Sequence, residues 1–568
     1  MSRRAKTLTH VGAWRLHLVR FVFIGLVLGL GWRLADIQVV HPDFLRHQGD
    51  ARHIRQVPIA AHRGMILDRH GEPLAISTPV HSVWMNPQDV AMTDVQIRQL
   101  AKLLALKSSS IKKKLSANKK REFVYLKRRV TPELAQKIKR LNIKGIALQR
   151  EYKRYYPAGE VTAHLVGFNN VDDHGQEGLE LTYDDALQGV TGLKRMVRDS
   201  RGNYVGGGEQ LKASKSGQDI RLSIDLRLQY LAYQSLKSTV DKFHARSGTA
   251  VILDVKTGEV LAMVNQPSFN PNNRSNLKLS HLRNRAVIDV FEPGSTVKPF
   301  TVASGLKSGE FTLESKINTH PGTFRVGGHT IRDHRDYGVI DVSTLIKKSS
   351  NIAASKIALT VKPDQLWQDF SAFGMAEPTG AYFPGEVMGK MPDPRTWRKL
   401  DRATLAYGYG LNTTALQLAR AYTILANGGI SRPVSFQQLE QAPLGHRVFA
   451  ADMMANIVEM MEGVVATDGT ARRAAVKNYT VAGKTGTVKK ASSGGYAEHR
   501  YLSLFAGVIP AKNPQLAMVV MVDDPQGDEY YGGLVAAPVF AEVMTGAMRL
   551  LNITPDNIPT SRMLVAQK

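Results

Sequence analysis

The chain has 568 residues, 43% of them apolar, no cysteine and a formal net charge of +26. The length suits about two to four domains and the apolar share is ordinary for globular protein, which excludes a disordered chain. The missing cysteine excludes a disulfide framework and any thiolate metal site, while the positive balance fits nucleic acid, an anionic membrane surface or a polyanionic wall.

At the N-terminus, Arg3, Arg4, Lys6, Arg15 and Arg20 precede an apolar run from Phe21 to Trp32, and apolar residues resume after Arg33. The uncharged run is short of the ~20 residues that span a bilayer, but Arg20 and Arg33 can snorkel from its ends and extend it. No small-x-small cleavage site follows, which favours an uncleaved anchor over a signal peptide. Basic residues before the span place the N-terminus in the cytoplasm and the rest of the chain outside it.

From His41 to about residue 222 the sequence reads as a mixed pedestal. Arg63-Gly64…Asp68-Arg69-His70-Gly71 reads as two short strands around a turn. Residues 101–160 carry roughly +14 by count of Lys and Arg against Asp and Glu. They read as the solvated face of a helical subdomain, and without an RNA-recognition, zinc-finger or stacking pattern the expectation is no nucleic acid.

A different pattern begins at Ser223. Asp225 is placed to cap a helix bearing Leu228, Leu231, Ala232 and Leu236 at helical spacing. Thr249–Val255 and Glu259–Val264 predict a hairpin around Lys256-Thr257-Gly258. Tyr501–Ile509 and Gln515–Val522 predict strands, and Ala536–Leu551 a helix with Pro538 in its first turn. A sheet built from both ends of this region, with a helical insert between, gives an α/β, two-lobed catalytic domain.

Within the insert lies Pro293-Gly294-Ser295-Thr-Val-Lys298. On a helix beginning there, Ser295 and Lys298 share a face. The hydroxyl sits near free backbone N–H groups that favour developing negative charge. Nucleophile, amine base and oxyanion donors then converge. Alone the pair is weak: Ser-x-x-Lys recurs at Ser109, Ser110, Ser116, Ser275 and Ser304. Two further motifs follow in order, Ser349-Ser350-Asn351 and Lys484-Thr485-Gly486-Thr487. Lys256-Thr257-Gly258 is a decoy of the second, explained as an ordinary turn. Gly486 within a strand is costly unless something approaches the backbone closely.

Ser295-x-x-Lys298, Ser349-x-Asn351 and Lys484-Thr485-Gly486, in this order, resemble the penicillin-binding proteins and serine β-lactamases. The single anchor, the Arg63-Gly64…Asp68-Arg69…Gly71 stretch, Arg154-Tyr-Tyr-Pro157-Ala-Gly-Glu160, Ala163–Gly167 and Glu177-Gly-Leu-Glu180 narrow the resemblance to class B. Within class B it is nearest the FtsI-type division enzymes. The resemblance implies an α+β transpeptidase fold, with an antiparallel sheet flanked by helices and an all-helical lobe. It implies a tail over 1–18, an anchor over 19–40, a dimerisation-type pedestal over 41–222, a transpeptidase domain over 223–553 and a tail over 554–568. Asp468-Gly469-Thr470 resembles a family stretch near the cleft, and Tyr407-Gly-Tyr-Gly410 reads as a turn near the site.

The implied chemistry is D,D-transpeptidation of peptidoglycan stem peptides. Ser295 would attack the carbonyl between two terminal D-alanines, with Lys298 as base and Ser349 as proton relay. Asn351 would hold Lys298 and the substrate backbone. Lys484, Thr485, Gly486 and Thr487 would bind the donor and its carboxylate, and the N–H groups of Ser295 and Thr487 would form the oxyanion hole. No metal or cofactor is implied. β-Lactams would acylate Ser295, and the partners would include an FtsW-type glycosyltransferase and other division proteins at the inner membrane. The alternatives are an elongation-type class B enzyme, a β-lactamase or β-lactam sensor, and an idle scaffold.

Overall fold

The computed structural model describes residues 12–40, 54–198, 204–492 and 495–558. Helix α1, Ala13–Ala35, continues as a wider turn over Asp36–Val40. Together they make 28 residues, about 42 Å at ~1.5 Å per residue, more than the ~30 Å of a hydrocarbon core. None of the side chains of α1 is buried, so its apolar surface is available to lipid.

The chain forms two compact units that do not follow chain order. The first comprises residues 1–61, 80–151 and 190–215. Its small core joins Val83 and Met85 to Leu100, Leu104, Ile111, Leu126 and Ile138. Three helices, Asp94–Leu104, Ser108–Ala117 and Pro132–Arg140, contribute to it, but so does the strand Val124–Val130. This unit is therefore mixed rather than helical. The helical reading gave too much weight to lysine-rich periodicity over the β-branched and aromatic run Val124-Tyr125-Leu126. The lysines are mostly solvated, as Lys112 shows by pairing with the exposed Asp94 at 2.6 Å.

The second unit comprises residues 62–79, 152–189 and 216–568. Helix α2, Leu226–Lys242, starts where Asp225 accepts a hydrogen bond from the Arg227 N–H. Strands β1 (Ser247–Asp254) and β2 (Val260–Gln266) form the expected hairpin, with Gly258 at φ +78° in its turn. The insert follows with helices α3 (Lys298–Lys307), α4 (Val342–Lys348), α5 (Asn351–Thr360) and α6 (Ala415–Ala426). Strands β3 (Ala482–Ser492), β4 (Gly495–Ile509) and β5 (Leu516–Asp523) return to the sheet, and α7 (Gly532–Leu550) closes the unit.

The sheet order is β2-β1-β5-β4-β3, antiparallel throughout. The central β5 is buried at every position, so apolar partners must cover both faces. Helices α2 and α7 pack on each other and on the sheet, and α6 packs on β1 and β5. Helix α7 begins four residues earlier than the sequence suggests, so Pro538 lies inside it rather than in its first turn. Proline cannot donate to the carbonyl four residues back. That carbonyl, Leu534 O, instead accepts from Arg473 Nη1 at 3.4 Å.

Buried ions tie the early segments of this unit to one another. Glu180 accepts from Arg63 Nη2 at 2.7 Å and from Arg154 Nε at 2.6 Å, with all three side chains essentially inaccessible. Arg154 Nη1 also donates to Gly64 O at 2.7 Å. The stretches around Arg63, Arg154 and Glu180 thus converge on one knot. Around the Asp68–Gly71 turn, Ile66 pairs with Ala75 and Leu67 with Pro73, as the sequence suggests.

Candidate active site

Edge strand β3 and the loop entering α3 come together because three glycines allow it. A Cβ on Gly486 would stand 3.1 Å from Pro293 O. What approaches this strand is therefore the chain's own serine loop. Gly294 has φ +55°, and a Cβ there would strike Val488 of β3 at 2.4 Å. Gly408 has φ +84°, and a Cβ there would lie 2.1 Å from Gly294 O. The Gly294 N–H donates to Gly408 O at 3.2 Å. Glycine suits these positions both by its tolerance of positive φ and by its lack of a side chain.

Ser295 lies in a tight turn, Gly294–Val297, that runs straight into α3. Pro299 fits the first turn of α3, where no N–H partner is required. From below, the buried Tyr422 of α6 donates its hydroxyl to Thr296 O at 2.8 Å, and Thr301 Oγ1 of α3 donates to Ala406 O at 2.7 Å. Stacking of Phe300 on Phe373 at 4.5 Å anchors the same helix.

Ser349 caps α4 in the left-handed conformation, φ +60° and ψ 41°. That region costs a non-glycine residue free energy and marks functional positions. Lys298 supplies the compensation. Its Nζ donates to Ser349 O at 2.5 Å, to Ser349 Oγ at 3.0 Å and to Asn351 Oδ1 at 2.8 Å. Asp333 fixes the other side of the same turn. It accepts the Ser350 hydroxyl at 2.5 Å, the Asn351 N–H at 2.6 Å and the Ile352 N–H at 3.1 Å, and so caps α5.

Both motif lysines are completely buried. Burial pushes the Lys298 amine well below the ordinary lysine value, neighbouring Lys484 pushes it further down, and Asp333 opposes them. Burial brings Lys484 down to about 7. The Lys484 ammonium donates to Thr485 O at 3.2 Å. On β3, Thr485 Oγ1 lies 3.0 Å from Thr470 Oγ1, and Thr487 Oγ1 accepts the Gly532 N–H at 3.0 Å.

Above the lysines opens a cleft of about 560 Å³. Ser295, Ser349, Asn351, Thr485 and Thr487 all line it. The three motifs, far apart in sequence, therefore share one site, with Lys298 and Lys484 beneath its floor. The decoys do not join them. Ser304 and Lys307 both bind Asp369, at 2.6 and 2.7 Å, a structural pairing.

Other residues in the cleft were less visible in the sequence. Tyr407 and Tyr409 line it, as does Thr470, so the glycine-rich turn and the Asp468-Gly-Thr470 stretch do border the site. Asp468 ties this border to the Ser349 turn through Lys347 at 2.9 Å and Lys348 at 3.0 Å. Tyr501, Tyr530 and Tyr531 form an aromatic wall, with Tyr501 stacked on Tyr530 at 4.1 Å. An aromatic pair outside any motif gives no clue to its place. Asp333 and His334 likewise stand out only once the fold brings them to the Ser349 turn.

Comparison with known proteins agrees with this layout. Residues 248–545 match the family described as the penicillin binding protein transpeptidase domain, and residues 58–222 the penicillin-binding protein dimerisation domain. The chain is 42% identical to the peptidoglycan D,D-transpeptidase FtsI of Escherichia coli, over 96% of this chain and 94% of that protein. It is 41% identical to a probable peptidoglycan D,D-transpeptidase, PbpC, of Pseudomonas aeruginosa, over 96% and 97%. Among solved structures, the transpeptidase domain of Burkholderia pseudomallei penicillin-binding protein 3 matches with 40% identity and a TM-score of 0.55, covering 60% of this chain and 98% of that one. A peptidoglycan synthetase from Bifidobacterium adolescentis matches over 89% of this chain and 98% of that one, with 26% identity and a TM-score of 0.70.

Proposed function

The chain belongs to the penicillin-binding protein transpeptidases, of the FtsI type, and from that premise we propose that Ser295, Lys298 and Ser349 carry its acyl-transfer chemistry. The protein is a peptidoglycan D,D-transpeptidase that cross-links stem peptides through an acyl-enzyme. The observation that supports the residue assignment best is the triple hydrogen bond from Lys298 to the Ser349-x-Asn351 turn, in the same cleft as Ser295.

A serine hydroxyl needs a base in contact to attack a carbonyl at neutral pH. An ammonium with three acceptors has no lone pair to offer. Once neutral, Lys298 keeps two N–H donors for Ser349 O and Asn351 Oδ1, and its lone pair is left to take the Ser295 proton. Burial and Lys484 both favour that neutral form. Ser295 Oγ then bonds to the carbonyl carbon between the terminal D-alanines. The oxyanion is held by the N–H groups of Ser295 and Thr487, an effect worth a few kcal/mol (~3) in comparable sites. The proton passes by way of Ser349 to the departing D-alanine nitrogen as the C–N bond breaks. The amine of a second stem peptide reverses these steps, gives its proton back through the same relay and frees Ser295.

The donor's terminal carboxylate is assigned to Lys484, Thr485 and Thr487. A carboxylate beside the buried Lys484 restores its charge. Because the Gly532 N–H occupies Thr487 Oγ1 as an acceptor, the threonine proton is left to donate. β-Lactams present a strained amide in the donor's place and acylate Ser295. By the same reasoning α1 is the membrane anchor, with the N-terminus cytoplasmic and the catalytic unit periplasmic. The FtsI relatives support action at the division septum beside an FtsW-type glycosyltransferase. The pedestal is assigned to 41–222 and the transpeptidase domain to 223–553.

The test is exchange. Given a D-alanyl-D-alanine-terminated pentapeptide and labelled D-alanine, the wild type should incorporate label, and Ser295→Ala and Lys298→Ala should not. Incorporation by Ser295→Ala at the wild-type rate would overturn the assignment of the nucleophile.

A further inference from the structure

The segment that brings His334 to the cleft carries exposed positive charge that no carboxylate answers among the described residues. Strands Thr323–Val326 and His329–Arg332 form a small hairpin, with Thr323 opposite Arg332 and Arg325 opposite Thr330. Side chains alternate along each strand. Val326 and Ile331 are therefore turned into a small core with Ile352 and Ala403, while Arg325 and Arg332 share the outer face. Both are exposed, as are His334 and Arg335 in the loop that follows. Among the described residues no carboxylate pairs with Arg325, Arg332 or Arg335.

The acids of this region are all engaged elsewhere. Asp333 caps α5. Asp336 accepts from His320 at 2.5 Å and from the Gly338 N–H at 2.8 Å. Asp468 holds Lys347 and Lys348. The segment that carries Arg332 and Arg335, meanwhile, is tethered beside the Ser349-x-Asn351 motif. Asn351 Nδ2 donates to Arg332 O at 3.0 Å. The Arg335 guanidinium lies 5.4 Å over the Tyr337 ring, whose hydroxyl donates to Lys348 O, next to Ser349, at 3.4 Å. His334 itself lines the cleft.

We infer that Arg325, Arg332 and Arg335, with His334 at the cleft edge, form a subsite for a free carboxylate of the acceptor peptide. This rests on the acyl-transfer reading above. Under that reading β3 takes the donor's carboxylate on one wall, and a second anionic peptide must reach the acyl-enzyme with its amine free. A cationic strip flanking the cleft-lining His334 attracts that peptide and turns its amine toward Ser295. Exposed charges act through a screened field, so the subsite raises the encounter and orientation of the acceptor and leaves the first half-reaction alone.

The experiment separates the two half-reactions in the triple variant Arg325→Gln, Arg332→Gln, Arg335→Gln. Acylation is followed with penicillin. Transfer is followed by mass spectrometry, using a thioester donor and two acceptors: a short peptide amine with free carboxylates, and the same peptide fully amidated. In the wild type the carboxylated acceptor should be preferred, and the preference should shrink with salt. In the variant acylation should be unchanged, and the preference should fall roughly tenfold, the sum of a few exposed ion pairs. The corresponding three-lysine variant should restore it. A wild type without preference, a variant that keeps it, or a variant that loses penicillin acylation as well would each overturn the subsite. Failure of the wild type to be acylated at all would instead sink the functional reading on which it rests.

Discussion

Ser349 holds two properties that substitution can separate. Its hydroxyl accepts from Lys298, and its backbone sits at φ +60°. Ser349→Ala removes the hydroxyl and keeps the strain, while Ser349→Gly removes both. Both variants should lose penicillin acylation by about 100-fold or more, the usual scale for a proton relay. By thermal or denaturant unfolding, the glycine variant should nevertheless be the more stable of the two by about 1 kcal/mol. Equal stabilities would remove strain from the account of this turn. The lysines make a second prediction. Lys298 acts as base only when neutral, so acylation should fall as pH drops through its lowered folded-state value. The Lys484 charge is one cause of that lowering. In Lys484→Gln the Lys298 value rises, and the acid limb of the pH–acylation profile should move to higher pH. A shift to lower pH would reverse the electrostatic argument. At this scale the sequence made legible which residues the fold gathers, Ser295, Lys298, Ser349, Asn351 and Lys484, because chemistry and spacing coincide there. Asp333 was not, because its neighbours along the chain do not reveal that it caps the helix beginning at Asn351.

Among the elements, the glycine contacts decide how the serine loop meets β3. Gly408 and Gly410 have nearly the same φ, +84° and +80°, but only Gly408 is crowded; a Cβ on Gly410 meets nothing within 4 Å. Gly410→Ala should cost about 1 kcal/mol of stability with acylation close to wild type. Gly408→Ala should push on Gly294, displace Ser295, and slow acylation by about 100-fold, since misplacement near 1 Å has that effect. Equal acylation rates in the two variants would mean that the contact does not position the nucleophile. Strand and hairpin patterns in the catalytic region were readable from alternation and turn chemistry. The start of α7 was not, because Pro538 looks like a first-turn residue until Arg473 is seen to satisfy the carbonyl it frees.

For the whole molecule, the compact units divide the chain differently from domains laid out in chain order. The boundary expected near residue 222 follows chain order, whereas residues 62–79 and 152–189 pack with the catalytic unit. Contacts such as Arg63–Glu180 link positions 117 residues apart, and no local pattern announces them. Replacing Glu180 by Gln takes the counter-charge from the buried Arg154 and leaves Arg63 with Asp184 alone. It should cost about 3–5 kcal/mol, visible as a lowered unfolding midpoint, and a midpoint unchanged from wild type would remove this knot from the list of stabilising features. By contrast, a chain lacking residues 1–40 should remain folded and soluble, because α1 buries none of its side chains. Loss of solubility on removing it would argue that α1 packs on protein and not on lipid. All of these expectations converge on one acylating serine, and intact mass of the purified protein after penicillin tests it most directly. The wild type should gain the mass of one penicilloyl group, mapped to the peptide containing Ser295 and stable for many minutes, while Ser295→Ala gains nothing. An adduct on another residue, or its retention in Ser295→Ala, would contradict the assignment. Rapid loss of the adduct with consumption of penicillin would mark a β-lactamase instead.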